Sequence, residues 1–352
     1  MNPSSLNLTA FVAALIAGSG LALAQTTATT DPVGFVTLDV AGGSNASPKL
    51  SFKALGLTRP VEYQGSAETA AGGTATVIDN EATSGYGVTP SASTPYYLEV
   101  TSGTGAGTTY DISGISGSTI TLAQNLASVV AAPVTFKIRK HWTLSDVFGA
   151  ADTAGLTSGD DASVSDQVLL YSSGSYTAYY YQTAPAGAGG TGWRKSTDVF
   201  ADASKTIIYP DDGVVLRRIQ SGNLSVVLTG AVKTGQTSVP ITAGTNVLSN
   251  VYAAAMTLSS CQIYNASTPS TSLVSGDDAS TSDQVLLWNG SGYTAYYYQT
   301  APAAAGGTGW RNATDVFTDA GNTPLPAGSA IIVKRAFGGA FDWKIPQHPA
   351  AL

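Results

Sequence analysis

The chain has 352 residues, of which only 11% are charged, and its formal net charge is −7. Ordinary globular domains are about 25% charged, so solubility here depends on uncharged polar residues, and no segment has the charged face of a long amphipathic helix. The acidic balance and the scattering of the 16 Lys and Arg residues exclude nucleic acid as a partner, because phosphate neutralisation needs clustered cations.

The first 24 residues have the pattern of a secretion signal. An apolar run over 10–24 ends in Ala22-Leu23-Ala24, the small-x-small pattern of a cleavage site. The run is short and interrupted by glycine, so we interpret it as removed on export rather than as a membrane anchor. These residues predict an exported protein, located outside the cell, on its surface or in the periplasm, with no transmembrane segment in the mature chain.

The remainder has the texture of short strands. Runs such as VGFVTLDV at 33–40 and YYLEV at 96–100 are rich in β-branched and aromatic residues, and Gly/Ser turn clusters separate them. Cys261 is the single cysteine, which excludes an intrachain disulfide and favours a small buried residue over an intermolecular link.

One stretch occurs twice. Residues 160–200 recur at 277–317, 117 residues later, without a gap and with few substitutions. Each copy predicts a strand, a turn and a second strand, and Asn289-Gly290 in the second copy is a strong hairpin signal. Each copy closes with an apolar strand and a basic pair, VVLRR at 214–218 and IIVKR at 331–335.

The flanks of this repeat indicate how the chain is divided. Residues 33–55 resemble 237–253 in outline, and 141–149 resemble 254–260; these pieces are adjacent in the second copy only. The predicted fold is therefore all-β, with two tandem sandwich-like modules, the first interrupted by a small β-barrel-like insertion. The first module comprises 25–57 and 141–230, the insertion 58–140, and the second module 231–352.

Several of these motifs resemble a known family. The segments are DQVLLWNGSGYTAYYYQT, GTGWRNATD, LPAGSAIIVKR and FDWKIPQHP in the second half, with YYLEVTSGTGAGTTYDI at 96–112 and FKIRKHWTLSDVFG at 136–149. They look like an uncharacterised paralogous family of secreted proteins best represented in Verrucomicrobia. The resemblance implies export and a β-rich fold. It implies no catalytic residues, because the family has no established activity, and the second copy of the hairpin departs from the single copy expected.

Acidic residues precede each copy of the hairpin. Within seven residues each copy has three carboxylates with serine hydroxyls between them, which are oxygen ligands suited to Ca²⁺. The candidate calcium ligands are Asp160, Asp161, Asp166, Asp277, Asp278 and Asp283. The alternative is a solvated turn, since Asp and Ser side chains bond to nearby backbone, and EF-hand spacing is absent. No other cofactor is indicated.

Aromatic residues alternate along the second strand of each hairpin. One face of the strand meets a core, and the other offers tyrosines, with a tryptophan nearby, as a stacking surface for sugar rings or another subunit. The residues of this candidate surface are Tyr176, Tyr179, Tyr181, Trp193, Tyr293, Tyr296, Tyr298 and Trp310. The alternative is that these aromatics cover both sides of a sheet beneath the Gly-rich loop. Arg194 and Arg311 are expected to stack on the indoles or pair with the Asp four residues on.

The inventory of catalytic residues is small. His141 and His348 are the only histidines, and both lie outside the repeats, which argues against a histidine metal cluster or a Ser-His-Asp triad. We therefore expect a non-enzymatic secreted or cell-surface structural protein whose repeated β modules self-assemble or contact an envelope polysaccharide. A carbohydrate-binding module that uses the Tyr/Trp surfaces is the alternative, and a secreted hydrolase is the third.

Overall fold

Strands form the framework of the molecule and confirm the all-β prediction. The computed structural model describes residues 31–345; the predicted signal at 1–24 lies outside this range, as do 25–30 and 346–352. Among residues 31–345, no helix has the length and apolar character needed to cross a membrane.

The elements follow one another along the chain in three groups. The first comprises β1 (Val33–Val40), β2 (Lys49–Ala54), β3 (Val61–Ala67), β4 (Thr69–Ala70), β5 (Thr76–Ile78), β6 (Tyr96–Val100), β7 (Thr109–Ser116), β8 (Thr119–Leu122) and β9 (Val134–Lys140). The second comprises β10 (Trp142–Thr143), helix α1 (Leu144–Phe148), β11 (Gln167–Ser172), β12 (Ser175–Thr183), β13 (Thr191–Lys195), β14 (Ile207–Ile208), β15 (Gly213–Arg218) and β16 (Leu224–Ala231). The third comprises β17 (Thr237–Ile241), β18 (Gly244–Ser249), β19 (Met256–Thr257), β20 (Gln284–Trp288), β21 (Tyr293–Thr300), β22 (Thr308–Asn312), β23 (Pro324–Leu325), β24 (Ala330–Arg335) and β25 (Phe341–Ile345). Short 3₁₀ turns lie at Ala162–Val164, Ala186–Ala188, Pro269–Thr271 and Ala303–Ala305.

Two five-stranded antiparallel sheets have the same strand order. The first sheet runs β13-β12-β11-β15-β2, and the second sheet runs β22-β21-β20-β24-β18. Beside the first sheet lie the two-stranded ribbons β1–β16, here the first ribbon, and β10–β14. Beside the second sheet lie the ribbons β17–β25, here the second ribbon, and β19–β23. The pairing pattern of the first sheet therefore recurs, strand for strand, in the second.

The duplicated hairpins turn in different ways. Between β11 and β12, Ser173 and Gly174 have φ of 51° and 85°, as a two-residue type I′ turn requires. Between β20 and β21 the loop has four residues, and the Asn289 side chain accepts hydrogen bonds from the N–H groups of Ser291 and Gly292 at 3.0 and 2.9 Å. The predicted Asn289-Gly290 signal thus lies in a hairpin turn.

Each five-stranded sheet buries one face in a core of its own. Alternation along the strands directs Val168 and Leu216 of the first sheet inward, where they meet Leu38 of β1 and Phe148 of α1. The second core has the equivalent arrangement and contains Cys261, which is fully buried as a free thiol. The expectation of a small buried cysteine is confirmed, and burial raises the pKa of this thiol to about 12.

The opposite faces of the two sheets pack against each other. Phe52 and Val215 of the first sheet share a buried cluster with Val247, Ala330 and Ile332 of the second. Phe52 also lies against Trp288, with ring centroids 5.3 Å apart. Both sheets thus have two buried faces over part of their area, which accounts for their nearly continuous apolar central strands.

Backbone hydrogen bonds lock this packing in a symmetric way. Ala54 N–H, at the end of β2, donates to the Gly328 carbonyl at 2.9 Å, and Ser249 N–H, at the end of β18, donates to the Asp211 carbonyl at 2.8 Å. Ala54 and Ser249 end equivalent strands, and Gly328 lies 117 residues after Asp211. The two halves therefore contact each other through the same surface, as the subunits of a two-fold dimer do.

A third, seven-stranded sheet runs β3-β9-β6-β7-β8-β5-β4 and is built from residues between 61 and 140. Its apolar residues form a separate core that includes Leu98, Ile120, Phe136 and Ile138. The outermost strands β3 and β4 are consecutive in the chain with only Glu68 between them, so this sheet curls back toward itself. Its residues fall within the predicted insertion, and the module boundaries remain an interpretation of these sheets.

A buried ion network joins this sheet to the rest of the chain. Glu99 of β6 accepts hydrogen bonds from Arg139 Nε at 3.1 Å and from Lys233, which lies between the two halves. Asp31 pairs with Arg139 and, at 2.8 Å, with Lys137. Burial raises the pKa of Glu99, but the charges of Lys233 and Arg139 outweigh it and hold that pKa below its usual range.

We expect Glu99→Gln to lower the free energy of unfolding at neutral pH by about 3–5 kcal/mol, because buried Lys233 loses its anion and Arg139 keeps only Asp31. The wild-type contribution is present above the unfolded pKa, about 4.3, and is lost as pH falls through the lower folded value. Urea denaturation at several pH values measures both effects. Glu62→Gln is the control. Glu62 and its ion-pair partner Lys140 are both about one-third exposed, so this change should lower the free energy of unfolding by less than about 1 kcal/mol.

Candidate functional site

The predicted aromatic surface is divided by the fold. Tyr176 and Tyr293, at the tips of the hairpins, are 42% and 47% exposed. Tyr176 lies edge-on to Tyr171, and Tyr293 lies edge-on to Trp288 and Phe52. Burial, followed by the proximity of Tyr293 and Tyr171, raises the pKa of Tyr176 to about 12. These two tyrosines border the contact between the sheets and remain open to solvent on one side.

The tryptophans of the candidate surface lie in the two cores instead. Trp193 and Trp310 are 1% and 3% exposed, and Trp193 Nε1 donates to the Gly149 carbonyl at 2.8 Å. Tyr181 packs edge-on against Trp193, and Tyr298 does the same against Trp310. The expectation of tryptophans on an open surface is corrected, because β13 and β22 direct these side chains to the core face of each sheet.

The remaining tyrosines of the candidate surface, Tyr179 and Tyr296, are half-buried and pack on the same cores. The next residues along the strands, Tyr180 and Tyr297, are almost fully buried on the opposite face of β12 and β21. Each donates its hydroxyl proton to the glutamine two residues on. The Gln182 amide in turn donates to the carbonyls of Ala188 and Gly190, at 2.7 and 3.1 Å. The alternating tyrosines therefore cover both sides of the sheet and support the Gly-rich loop.

The arginines that follow the tryptophans hold the same loops. Arg194 Nη2 donates to the Gly189 carbonyl at 2.7 Å, and Arg311 Nη2 donates to the Gly306 carbonyl at the same distance. Their acidic neighbours are Asp202 and Asp319, at 3.9 and 3.4 Å, eight residues on. The predicted partners four residues on, Asp198 and Asp315, instead accept hydrogen bonds from backbone N–H groups of their own turns.

The first aspartates of the acidic loops are turn residues. Asp160 and Asp277 are exposed, and Asp161 and Asp278 cap short turns by accepting hydrogen bonds from the N–H groups of Ser163 and Ser280 at 2.7 Å. These hydrogen bonds hold the pKa of both capping carboxyls below the usual range. This is the local bonding that favours Asp in turns.

The third aspartate of each loop is buried in an ion pair. Asp166 is 1% exposed, and it accepts hydrogen bonds from Arg218 Nη1 and the Ile219 N–H, both at 2.7 Å. Asp283 is paired with Arg335 and accepts a hydrogen bond from the Ala336 N–H at 2.8 Å. The second residue of each basic pair, Arg218 or Arg335, is thus the counter-ion of the buried aspartate before the hairpin of the same copy.

The predicted calcium ligands are therefore not gathered at one point. Within residues 31–345, one group of three acidic side chains has its oxygen atoms within 4.8 Å of one another: Glu68, Asp79 and Glu81. These oxygens already accept hydrogen bonds from Tyr63, Asn80 and the Glu81 N–H. The cluster belongs to the seven-stranded sheet rather than to the acidic loops.

A polar cleft lies where three parts of the chain meet, and we call it the junction cleft. Its walls are the seven-stranded sheet, the turn before β15 and the second ribbon, and its volume is about 390 Å³. Four carboxylates line it, those of Asp111, Asp211, Asp212 and Asp342, whereas no Lys or Arg is found among the described residues that do so. A cleft where several structural units meet is a common position for a ligand site.

Three of these carboxyls have shifted pKa values, one lowered and two raised. Burial raises the pKa of Asp111, but hydrogen bonds from His141 Nε2 at 2.9 Å and the Tyr209 hydroxyl at 3.1 Å outweigh it, so this pKa lies below the usual range. Burial, and then the charge of Asp211, raise the pKa of Asp212 to about 8, although the Tyr209 N–H donates to it at 2.9 Å. Burial also raises the pKa of Asp211.

Sequence reasoning missed this cleft because its residues lie far apart in the chain and Pro210-Asp211-Asp212 has the composition of an ordinary turn. A signal was nevertheless present. In the second copy, 117 residues on, the positions of Asp211 and Asp212 are occupied by Gly328 and Ser329. Two adjacent acids thus stand where the second half has neutral residues, within a stretch, 201–212, that differs from 318–329 at most positions.

Asp166→Asn should lower the melting temperature sharply, because Arg218 would remain buried without a counter-charge; the expected loss is about 3–5 kcal/mol. Asp160→Asn, at the exposed end of the same loop, should change stability by no more than about 0.5 kcal/mol. Thermal denaturation followed by circular dichroism compares the two. Equal effects would contradict the structural role given to Asp166.

A comparison with known proteins gave no match: no family model, no curated protein and no solved structure matches the chain. The resemblance to secreted proteins of Verrucomicrobia therefore stays a prediction. The geometry of the described residues carries the functional argument that follows.

Proposed function

We propose that the chain is a non-enzymatic, exported structural protein that assembles with copies of itself through the outer face of the first ribbon. The observation that carries this proposal is an exposed apolar patch on that face. Val33 and Phe35 of β1 and Val227 of β16 are 75%, 72% and 63% exposed.

The register of the ribbon places these three side chains together. Val33 and Phe35 are two residues apart on β1, so they lie on one face, and Val227 pairs with Thr37, the next outward position. A contiguous exposed apolar patch is typical of an interaction surface. Within residues 31–345, the outer edges of β1 and β16 pair with no further strand, apart from one bridge between Thr58 and Ala231. Their main-chain N–H and C=O groups are therefore available to a strand of another copy.

The second ribbon supplies the internal comparison. Its outer face is polar, with Asp342 and Lys344 exposed, and Lys344 Nζ donates to the Thr104 carbonyl of the seven-stranded sheet at 3.0 Å. The position of Val227 corresponds to Lys344, and extension of the register makes Gln236 the second-ribbon counterpart of Phe35. The apolar face of the first ribbon is thus not a requirement of the fold that the two halves share.

Low charge supports the same proposal, since few like charges oppose contact between copies. The alternative, carbohydrate binding by stacking, now depends on Tyr176 and Tyr293, because the tryptophans are buried. These two tyrosines lie at the contact between the sheets rather than on a flat platform, which favours assembly over stacking.

The test is sedimentation velocity and negative-stain imaging of the purified mature chain over a range of concentrations. We expect the wild type to form oligomers or filaments and the double variant Phe35→Gln/Val227→Lys to remain monomeric. The introduced Gln and Lys are the polar residues found at the equivalent positions of the second ribbon, so they remove the apolar patch. Val129→Lys is the control, since Val129 is 50% exposed in the loop between β8 and β9, away from the first ribbon, and the change adds the same charge. A wild-type chain that remains monomeric at the highest concentration, or a double variant that assembles normally, would refute the proposal.

A further inference from the structure

The junction cleft is electronegative as well as open. Its wall on the second ribbon consists of Ser238, Pro240 and Asp342: Ser238 and Pro240 are two residues apart on β17, and Pro240 pairs with Asp342 of β25. The turn before β15 contributes Tyr209, which is 38% exposed at the rim. The four acids that line the cleft are therefore held by strands β7 and β25 and by a hydrogen-bonded turn.

The acids of this cleft are not needed by the shared fold. In the other half of the molecule, the positions of Asp211, Asp212 and Asp342 are occupied by Gly328, Ser329 and Ser225. Ser329 forms the equivalent turn, and its N–H donates to the Pro326 carbonyl as the Asp212 N–H donates to that of Tyr209. Serine is thus sufficient for the structural role at position 212.

Asp212 also carries a cost in stability. The pKa of Asp212 in the folded protein, about 8, lies above the value of an unfolded Asp. The free energy of unfolding therefore has its full value below the unfolded pKa, and it falls as pH rises through the folded pKa. A neutral serine would avoid this loss. A half-buried acid that lines a cleft, that the fold does not need and that lowers stability near neutral pH is typical of a functional position.

A second polar group in the cleft points to a ligand. Ser238 is 8% exposed, and its hydroxyl has no hydrogen-bond partner within the described chain. Because it lies on the same face of β17 as Pro240, the side chain is directed toward the cleft. Buried hydroxyls are nearly always hydrogen-bonded, so an unpaired one beside a cleft marks a place for a bound group.

We propose that the junction cleft binds an organic cation that carries ammonium groups. An ammonium has three donors and no acceptor, which matches a lining of carboxylates and a free hydroxyl without basic side chains. A divalent metal fits less well, because within residues 31–345 these carboxylates do not form a group of three with oxygens within 4.8 Å of one another. The spread of the acids along the cleft suits a ligand with more than one ammonium group.

The pH dependence follows from the groups that face Asp212. The titratable groups around it are Tyr209, Asp211, Asp111, Tyr110, His141, Tyr171 and Asp342. The nearest lysine on the second ribbon, Lys344, is bonded to the Thr104 carbonyl. Asp212 gains its charge as pH rises toward about 8, whereas an aliphatic polyamine stays largely charged up to about that pH, so affinity should increase from about pH 6 to about pH 8.

The experiment is calorimetric titration of the full mature chain with spermidine in about 0.15 M salt, which suppresses weak surface attraction. We expect binding that Asp212→Ser and Asp342→Ser each weaken about tenfold or more. Asp160→Ser is the matched control, since it removes one charge from an exposed loop outside the cleft and should bind as the wild type does. The increase in affinity between about pH 6 and about pH 8 should disappear in Asp212→Ser.

Two further titrations separate other ligands. Ca²⁺ or a neutral oligosaccharide that binds the wild type but not Asp212→Ser, while spermidine does not bind, would overturn the proposal. Equal spermidine affinity in all variants would also overturn it. Melting curves verify that the variants are folded, and at pH 9 Asp212→Ser should melt higher than the wild type.

Discussion

Ala54 and Ser249, at the ends of two edge strands, each donate a backbone hydrogen bond to the turn that opens a strand of the other sheet. This exchange links the outer edges of β2 and β18 to the opposite sheet, and it brings the apolar outer faces of the sheets into contact. The positions of the other parts follow from it. The hairpin tips meet, Trp288 reaches the Leu50 carbonyl at 3.1 Å, and the turn before β15 comes beside the second ribbon.

The seven-stranded sheet depends on the same arrangement. Its charged strands contact both halves of the chain, because Glu99 and Arg139 pair with Lys233 and Asp31. Buried ion pairs add little net stability but are costly to break, so they select one orientation of the sheet over others. That orientation brings Asp111 next to the Tyr209 hydroxyl, and a cleft lined by acids from three regions results.

Residue patterns predicted the class of structure well and the surfaces poorly. β-Branched runs separated by Gly and Asn turns identified strands, and the repeat located both hairpins, since these signals are local. Alternation alone does not reveal which face of a strand is covered. Trp193 therefore looked available for stacking although it is a core residue, and Asp166 looked like a metal ligand although Arg218 neutralises it. The junction cleft depends on contacts between distant segments, which composition and spacing do not report.

The split of the first sheet has a consequence for the order in which the chain folds. Strands β3 to β9 pair with one another, within about 80 residues of sequence. In contrast, β1 pairs with β16 and β2 pairs with β15, which lie much further along the chain. Short separations close faster than long ones. The seven-stranded sheet should therefore form first and hold its two chain ends together, as the Trp142 indole bonded to the Leu57 carbonyl at 2.9 Å indicates. The seven-stranded sheet then acts as a clamp that shortens the loop to be closed when β2 pairs with β15 and β1 pairs with β16.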